Sequence, residues 1–188
     1  MADQQPPGIV LWHVTMSLDG FIAATDGDFG WMDVPAGKDE AAEEVIRTTG
    51  AFLAGRRSLG TGEPPYGGPW TGPTFVLTHD PPDAARYPAI TFLSGGVRDA
   101  VLTALAAANG RNLVVSGADV VRQCLEKGLV NEIQIHLVPI LLGDGVRLFD
   151  RAGTGWIRLE RTGLAASGQV TDLRFRVVTP TTAAPAID

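Results

Sequence analysis

The stretch Asn112-Leu113-Val114-Val115-Ser116-Gly117-Ala118-Asp119-Val120-Val121-Arg122-Gln123-Cys124-Leu125-Glu126-Lys127 changes its period half-way along. Asn112 to Ser116 is a short apolar run of the kind buried on both faces of a sheet. From Ala118 onward the pattern is helical. A strand that passes through Ser-Gly into a helix is the building unit of an α/β sheet.

The same alternation extends outward in both directions. Toward the N-terminus, a helix over Val97 to Ala108 carries Val101, Leu102, Leu105 and Ala108 at helical spacing, and before it lies a strand Ile90 to Leu93 that ends at Ser94-Gly95-Gly96. Thr74 to Thr78 is a strand running into His79-Asp80-Pro81-Pro82, and Ala51 to Gly55 is one running into Arg56-Arg57-Ser58. A helix from about Lys38 to Thr49 presents Ala41, Ala42, Val45 and Ile46 on one face, with Asp39 and Glu40 in its first turn and Gly50 as its stop. The first strand, Ile9 to Met16, ends in Ser17-Leu18-Asp19-Gly20, and a polar, glycine-rich loop holding Asp26 to Trp31 follows. Residues 60–73 are too rich in Gly and Pro for regular structure. Toward the C-terminus, Glu132 to Ile140, Trp156 to Leu164 and Gln169 to Val178 read as strands of an antiparallel addition to a parallel sheet.

Composition narrows the function. With 15 Lys and Arg against 21 Asp and Glu, the net charge is −6, so the chain lacks the basic surplus that attracts nucleic acid or anionic lipid. A lone cysteine, Cys124, permits neither a disulfide framework nor a thiolate metal cluster. There is no basic segment followed by an apolar core at the N-terminus and no apolar run of the roughly 18 residues a spanning helix needs. The expectation is a cytoplasmic protein with one folded unit over residues 8–179 and frayed ends at 1–7 and 180–188.

In an open, mostly parallel sheet ligands bind beyond the carboxyl ends of the strands. Here those ends read Gly55-Arg56-Arg57-Ser58, Thr78-His79, Ser94-Gly95-Gly96 and Ser116-Gly117-Ala118-Asp119: small, hydroxylated or cationic. Small residues ahead of a helix let a phosphate approach the unsatisfied N–H groups of its first turn. Arg56 and Arg57 offer guanidinium groups able to clamp a phosphate. Each feature also has a plain structural reading, as a tight capped turn or as solvated surface.

Taken together, Met16-Ser17-Leu18-Asp19-Gly20-Phe21-Ile22-Ala23, Leu53-Ala54-Gly55-Arg56-Arg57-Ser58, Val115-Ser116-Gly117-Ala118-Asp119, Gly128-Leu129-Val130-Asn131-Glu132-Ile133 and Pro139-Ile140-Leu141-Leu142-Gly143-Asp144-Gly145 with Leu148-Phe149 resemble the riboflavin-reductase branch of the dihydrofolate reductase superfamily. The blocks keep their order and spacing over about residues 9–178. The resemblance implies a three-layer α/β fold with a mostly parallel sheet of about eight strands and helices on both faces, NADPH across the carboxyl ends, and a homodimer. It implies a phosphate loop at Gly55, Arg56, Arg57 and Ser58, an adenosine and 2′-phosphate side at Thr78 and His79, a rim position at Ser94, and a pyrophosphate turn at Ser116, Gly117, Ala118, Asp119 and Val120. Only Gly117 is kept of the glycine triplet that dihydrofolate reductases carry there.

Asp19 resembles the aspartate beside the nicotinamide site of the riboflavin-type enzymes. Asp39 is the nearest match to the first-helix acid of dihydrofolate reductases. The mechanism this suggests leaves hydride chemistry to the nicotinamide, with Asp19 orienting substrate or relaying a proton. The Asp26–Trp31 loop is expected to act as a lid, with Trp31 and Phe29 as apolar cover, while Trp70 and Tyr66 form an opposite wall for a flat heterocycle. The substrate expected is an aminopyrimidine of riboflavin biosynthesis or a pterin-like compound. Two rivals keep the fold: a protein that sequesters such a ligand without turnover, and a reductase for a flavin or carbonyl compound. The chain has no H-x-E…P-C-x-x-C deaminase pattern, and Arg147, Arg174 and Arg176 are cations without an assigned place.

Overall fold

In the computed structural model, residues 8–35, 39–59, 65–67, 70–150 and 155–178 are described. The strands are β1 (Val10–Ser17), β2 (Phe21–Ala23), β3 (Thr49–Gly55), β4 (Thr74–Leu77), β5 (Ile90–Leu93), β6 (Asn112–Val115), β7 (Glu132–Val138), β8 (Val146–Arg147), β9 (Arg158–Ser167) and β10 (Val170–Val178). The helices are α1 (Glu40–Thr48), α2 (Val97–Ala107) and α3 (Ala118–Glu126). The main sheet has eight strands in the order β5-β4-β3-β6-β1-β7-β10-β9, and β2 with β8 forms a small separate ribbon. Pairing is parallel from β5 to β7 and antiparallel for β7–β10 and β10–β9.

The two faces of the sheet are filled unequally, as strand alternation dictates. Val10 and Trp12 of β1, Leu113 and Val115 of β6, and Ala51 and Leu53 of β3 join α2 and α3 in the large core. Leu11 and Val114 point the other way and meet Val45 of α1, with Phe52 and Tyr66 packed against them. Helices therefore cover both faces. On the α1 face the apolar contact is small, and farther along it β7 and β10 contribute Gln134, His136 and Asp172, all buried.

Several boundaries differ from the sequence expectations for local reasons. Gly50 does not stop α1. Thr49 is already extended, its hydroxyl donates to the Val45 carbonyl, and Gly50 belongs to β3. A Cβ at Gly50 would lie 2.3 Å from the Ala108 carbonyl oxygen, so the glycine serves the close approach of β3 to the end of α2. The expected start at Lys38 lies outside the described residues, and Asp39 caps α1 by accepting from the Ala42 N–H. The buried stripe of α2 runs through Val97, Ala100, Val101 and Ala104 rather than Leu102, which is exposed. Strands β2 and β8 are too short to read from periodicity. Of the Gly/Pro segment 60–73, residues 60–64 and 68–69 lie outside the described residues, as do the two ends of the chain. Among the described residues no helix is long and apolar enough to cross a membrane.

Candidate functional site

The strand ends β3, β4 and β6 are adjacent in the parallel sheet, so the loops that leave them share one edge. The Ser116 N–H donates to the Leu53 carbonyl, joining the end of β6 to β3. Gly117 adopts φ +84, and a Cβ there would sit 2.7 Å from Ser58 Oγ. The turn entering α3 and the loop after β3 are thus in contact, and the positive φ at Gly117 is one that residues with a Cβ rarely adopt. Gly55 is similarly close, its missing Cβ 3.2 Å from Val120 Cγ2. Beside them, the Thr78 N–H donates to the Leu93 carbonyl, and the Thr78 hydroxyl accepts from the Asp80 N–H.

This floor has the character of an anion site. Gly117 has no side chain to cap α3, and among the described residues no cap hydrogen bond is made there, unlike α1 under Asp39. Asp119 in that turn is tied to Arg122 at 2.6 Å and to Gln123, and the Arg122 hydrogen bond holds its carboxyl below the usual range. The two arginines after β3 part company. Arg56 binds Asp80, with Nη1 2.7 Å from Oδ2, whereas Arg57 lines a cleft of about 430 Å³ with Arg122, Asp119, Phe21 and Arg147. They do not form one joint clamp. His79 and Ser94 lie exposed on the same edge.

Asp19 has its carboxylate occupied. One oxygen accepts from the Ser17 hydroxyl at 2.6 Å and the Leu142 N–H at 3.1 Å, and the other from the Gly143 N–H at 2.7 Å. The Ser17 hydroxyl, followed by those two amides, holds its pKa down at about 2. The residue fastens the 141–145 loop to the end of β1. Trp31 is half-buried and donates to the Asp28 carbonyl, within a loop turned by Asp26 and Asp28 side chains. Trp70 is buried: its indole N–H donates to the Thr49 carbonyl and its ring contacts Phe52 and Tyr66 edge-on or tilted. It backs Tyr66 from within rather than lining an open wall.

The α1 face holds a cluster that the sequence reading missed. His13 on β1, His136 on β7 and Asp172 on β10 project to this face, and Asp39 reaches them from the cap of α1. His136 Nδ1 lies 2.5 Å from Asp172 Oδ1 and 3.3 Å from Asp39 Oδ2. Its Nε2 lies 2.6 Å from His13 Nε2, and His13 Nδ1 lies 3.1 Å from the Tyr66 hydroxyl. Burial, then the neighbouring His136, lowers the His13 pKa to about 3. Burial raises Asp172 and Tyr66. Asp39, His136 and Asp172 place one donor atom each within 4.8 Å of one another. Within that set, His136 Nδ1 and Asp172 Oδ1 stand at hydrogen-bond distance. A signal existed in the sequence: β7 alternates Ile133, Ile135 and Leu137 with Gln134 and His136, and β10 alternates Leu173 and Phe175 with Asp172 and Arg174. Polar side chains at every second place of interior strands mark a face that the hydrophobic core does not fill.

The RibD C-terminal domain family model matches residues 9–173. The chain belongs to that family. Among curated proteins, this RibD C-terminal domain protein is 27% identical over 168 residues to the uncharacterized protein YwjB of Bacillus subtilis (strain 168), covering 87% of this chain and 94% of YwjB. Among solved structures it resembles a Shewanella sp. PV-4 protein provisionally named for riboflavin biosynthesis, with a TM-score of 0.77, 22% identity, and 91% and 99% of the two chains covered. A pyrimidine reductase-like protein of Corynebacterium diphtheriae gives a TM-score of 0.65 at 16% identity, with 92% of each chain covered. Acinetobacter baumannii RibD gives 0.65 at 17% identity, covering 92% of this chain and 58% of that one. At these identities the structures speak to the fold, which is the mostly parallel eight-stranded α/β sheet of RibD C-terminal domains.

Proposed function

We propose that this RibD C-terminal domain protein is an NADPH-dependent reductase of a small heterocycle, an aminopyrimidine of riboflavin biosynthesis or a pterin-like compound. The observation that carries this reading is the floor where Gly117 meets Ser58 beneath the uncapped N-terminus of α3, on the edge that Thr78 shares. Membership in the RibD C-terminal domain family, together with structural neighbours named as pyrimidine reductase-like and uracil reductase proteins, supports it. NADPH, when bound, supplies the hydride.

The chain's part is to bind and orient. Backbone N–H groups of residues 118–120 receive the pyrophosphate, since an anion there replaces the missing cap. Ser58 and Ser116 offer hydroxyls beside it. Arg57, the arginine not committed to Asp80, faces the 2′-phosphate, and Thr78 and His79 border the adenosine. Asp39, on the α1 face, stands beside the heterocycle together with His13. Asp19 acts by holding the 141–145 loop in place.

Titration with NADPH and NADH, followed by tryptophan fluorescence, tests the reading. Tighter binding of NADPH, eroded in Arg57→Ala, supports it, and equal affinity for the two removes the 2′-phosphate assignment. Loss of nicotinamide absorbance with dihydrofolate, an aminopyrimidine or a flavin then distinguishes a reductase from a protein that only binds; no oxidation with any of them overturns the reaction.

A further inference from the structure

The hydrogen bonds of the α1-face cluster obey a parity rule. Each contact between two nitrogens or between nitrogen and oxygen holds one proton, and each neutral imidazole has one donor and one acceptor. With His136 donating from Nδ1 to the carboxylate of Asp172, its Nε2 must accept, so His13 donates from Nε2. His13 Nδ1 then accepts, and the Tyr66 hydroxyl donates inward. Every bond points toward Asp172.

One added proton reverses that order. Placed on His136, between Asp172 and Asp39, it lets Nε2 donate to His13 Nε2. His13 remains neutral but exchanges tautomer, donating from Nδ1 to the Tyr66 oxygen. The Tyr66 O–H is thereby turned away from His13, on the side where the buried Thr49 hydroxyl is its other neighbour. The charge rests where two carboxylates face it, and His13, whose burial opposes ionisation, never carries it.

We propose that Tyr66, His13, His136 and Asp172 form a proton-storage chain in which one proton taken up at His136 becomes a donatable proton at the Tyr66 hydroxyl. This rests on the reductase reading for its use. The hydride and its electron pair come from NADPH, leaving NADP⁺, and add to the substrate's unsaturated carbon. The Tyr66 O–H bond breaks as its proton goes to the substrate heteroatom. Tyr66 is refilled from His13 Nδ1, and His13 from His136 Nε2, which ends neutral.

Two further observations favour Tyr66 as the outlet. It holds φ 63, ψ 22, a left-handed conformation uncommon for an aromatic residue, and its ring is wedged against His13, Phe52 and Trp70. Pro65, the residue before Tyr66, lines a cavity of about 110 Å³ with Phe52, Ala54, Ser58 and Ser116. The groups facing the chain are Asp39 from α1, Asp172 from β10, and Thr49 beside the Tyr66 hydroxyl; Glu132, Arg174 and Glu44 form a separate ion-paired set on that face.

The experiment is nitrogen-15 NMR of the full chain labelled at histidine, titrated in pH without any ligand. Expected is one coupled step in which His136 gains a proton and His13 passes from the Nε2–H to the Nδ1–H tautomer while staying neutral, with the tautomer change lost in Tyr66→Phe. Independent titration of the two rings, or a fixed His13 tautomer, overturns the chain. In the NADPH assay, whichever panel compound is reduced should lose about 100-fold in kcat in Tyr66→Phe, with a displaced pH profile. Full kcat and an unchanged profile overturn the outlet while leaving the reductase standing. Absence of any NADPH binding overturns the reductase reading and, with it, the use assigned to the chain, whose existence the NMR titration decides.

Discussion

His13 and His136 meet nitrogen to nitrogen, 2.6 Å apart, across the β1–β7 pair. Only one proton fits between two such nitrogens, so the two rings cannot both be charged without breaking the contact. The consequence is a fold that resists protonating His13.

That resistance costs stability in acid. His13 has an ordinary pKa of 6.5 when unfolded and about 3 in the fold, so between those values the unfolded chain binds the extra proton. Stability from this group is therefore lost as pH falls from 6.5 toward 3, at up to about 1.4 kcal/mol per pH unit. Asp172, shifted up by burial, works in the opposite sense, because the folded state then holds the extra proton above 3.8. Comparing the chain with its His13→Gln variant isolates the histidine. Denaturant midpoints at pH 7 and pH 5 should fall less in the variant, and parallel falls would show that the fold accommodates a charged His13.

Gly117 should tolerate no side chain. Its φ of +84 and the 2.7 Å approach of a would-be Cβ to Ser58 Oγ act together. Gly117→Ala is expected to cost about 1–3 kcal/mol and to weaken NADPH binding more than tenfold. Gly95→Ala, with nothing within 4 Å of the added atom, serves as the control and should stay within about 0.5 kcal/mol. Equal thermal shifts in the two variants would contradict the contact.

Asp19 should act on the 141–145 loop. Its pKa is lowered from 3.8 to about 2, so the contribution of the ionised carboxylate is present above 3.8 and lost only as pH falls through about 2. Hydrogen exchange at the Leu142 and Gly143 amides should stay protected at pH 4 and lose that protection at any pH in Asp19→Ala. Protection surviving in Asp19→Ala would mean the carboxylate does not hold the loop, and would return Asp19 to direct work on substrate.

Cys124 should be silent in the native protein. It is fully buried in α3, and burial pushes its thiol up to about 12. An aromatic disulfide reagent at pH 8 should fail to label it until denaturant opens the core. Rapid native labelling would show that α3 detaches readily from the sheet.

The reach of the sequence can be judged at particular residues. Asn112 to Glu126 dictates a strand, a glycine turn and a helix because the period of its apolar residues changes there, and that is a local property. The same holds for the strand-end residues Gly55 to Ser58, Thr78 and Ser116: once the sheet is parallel, its topology puts successive strand ends on one edge. Gly50 misleads because a glycine after a helix commonly stops it, whereas here the constraint comes from Ala108, far along the chain.

What the amino-acid order determined by itself was the α/β alternation and the chemistry of the strand tips, since both depend on neighbours within one turn or one strand. Tertiary structure alone decided that His13, His136, Asp172 and Asp39 share a set of protons. Their strands become neighbours only when β7 joins β1 and β10 joins β7, and α1 brings in its own cap. Hydrogen bonds need heavy atoms about 3 Å apart, a condition that no spacing along the chain can impose on residues 13, 39, 136 and 172.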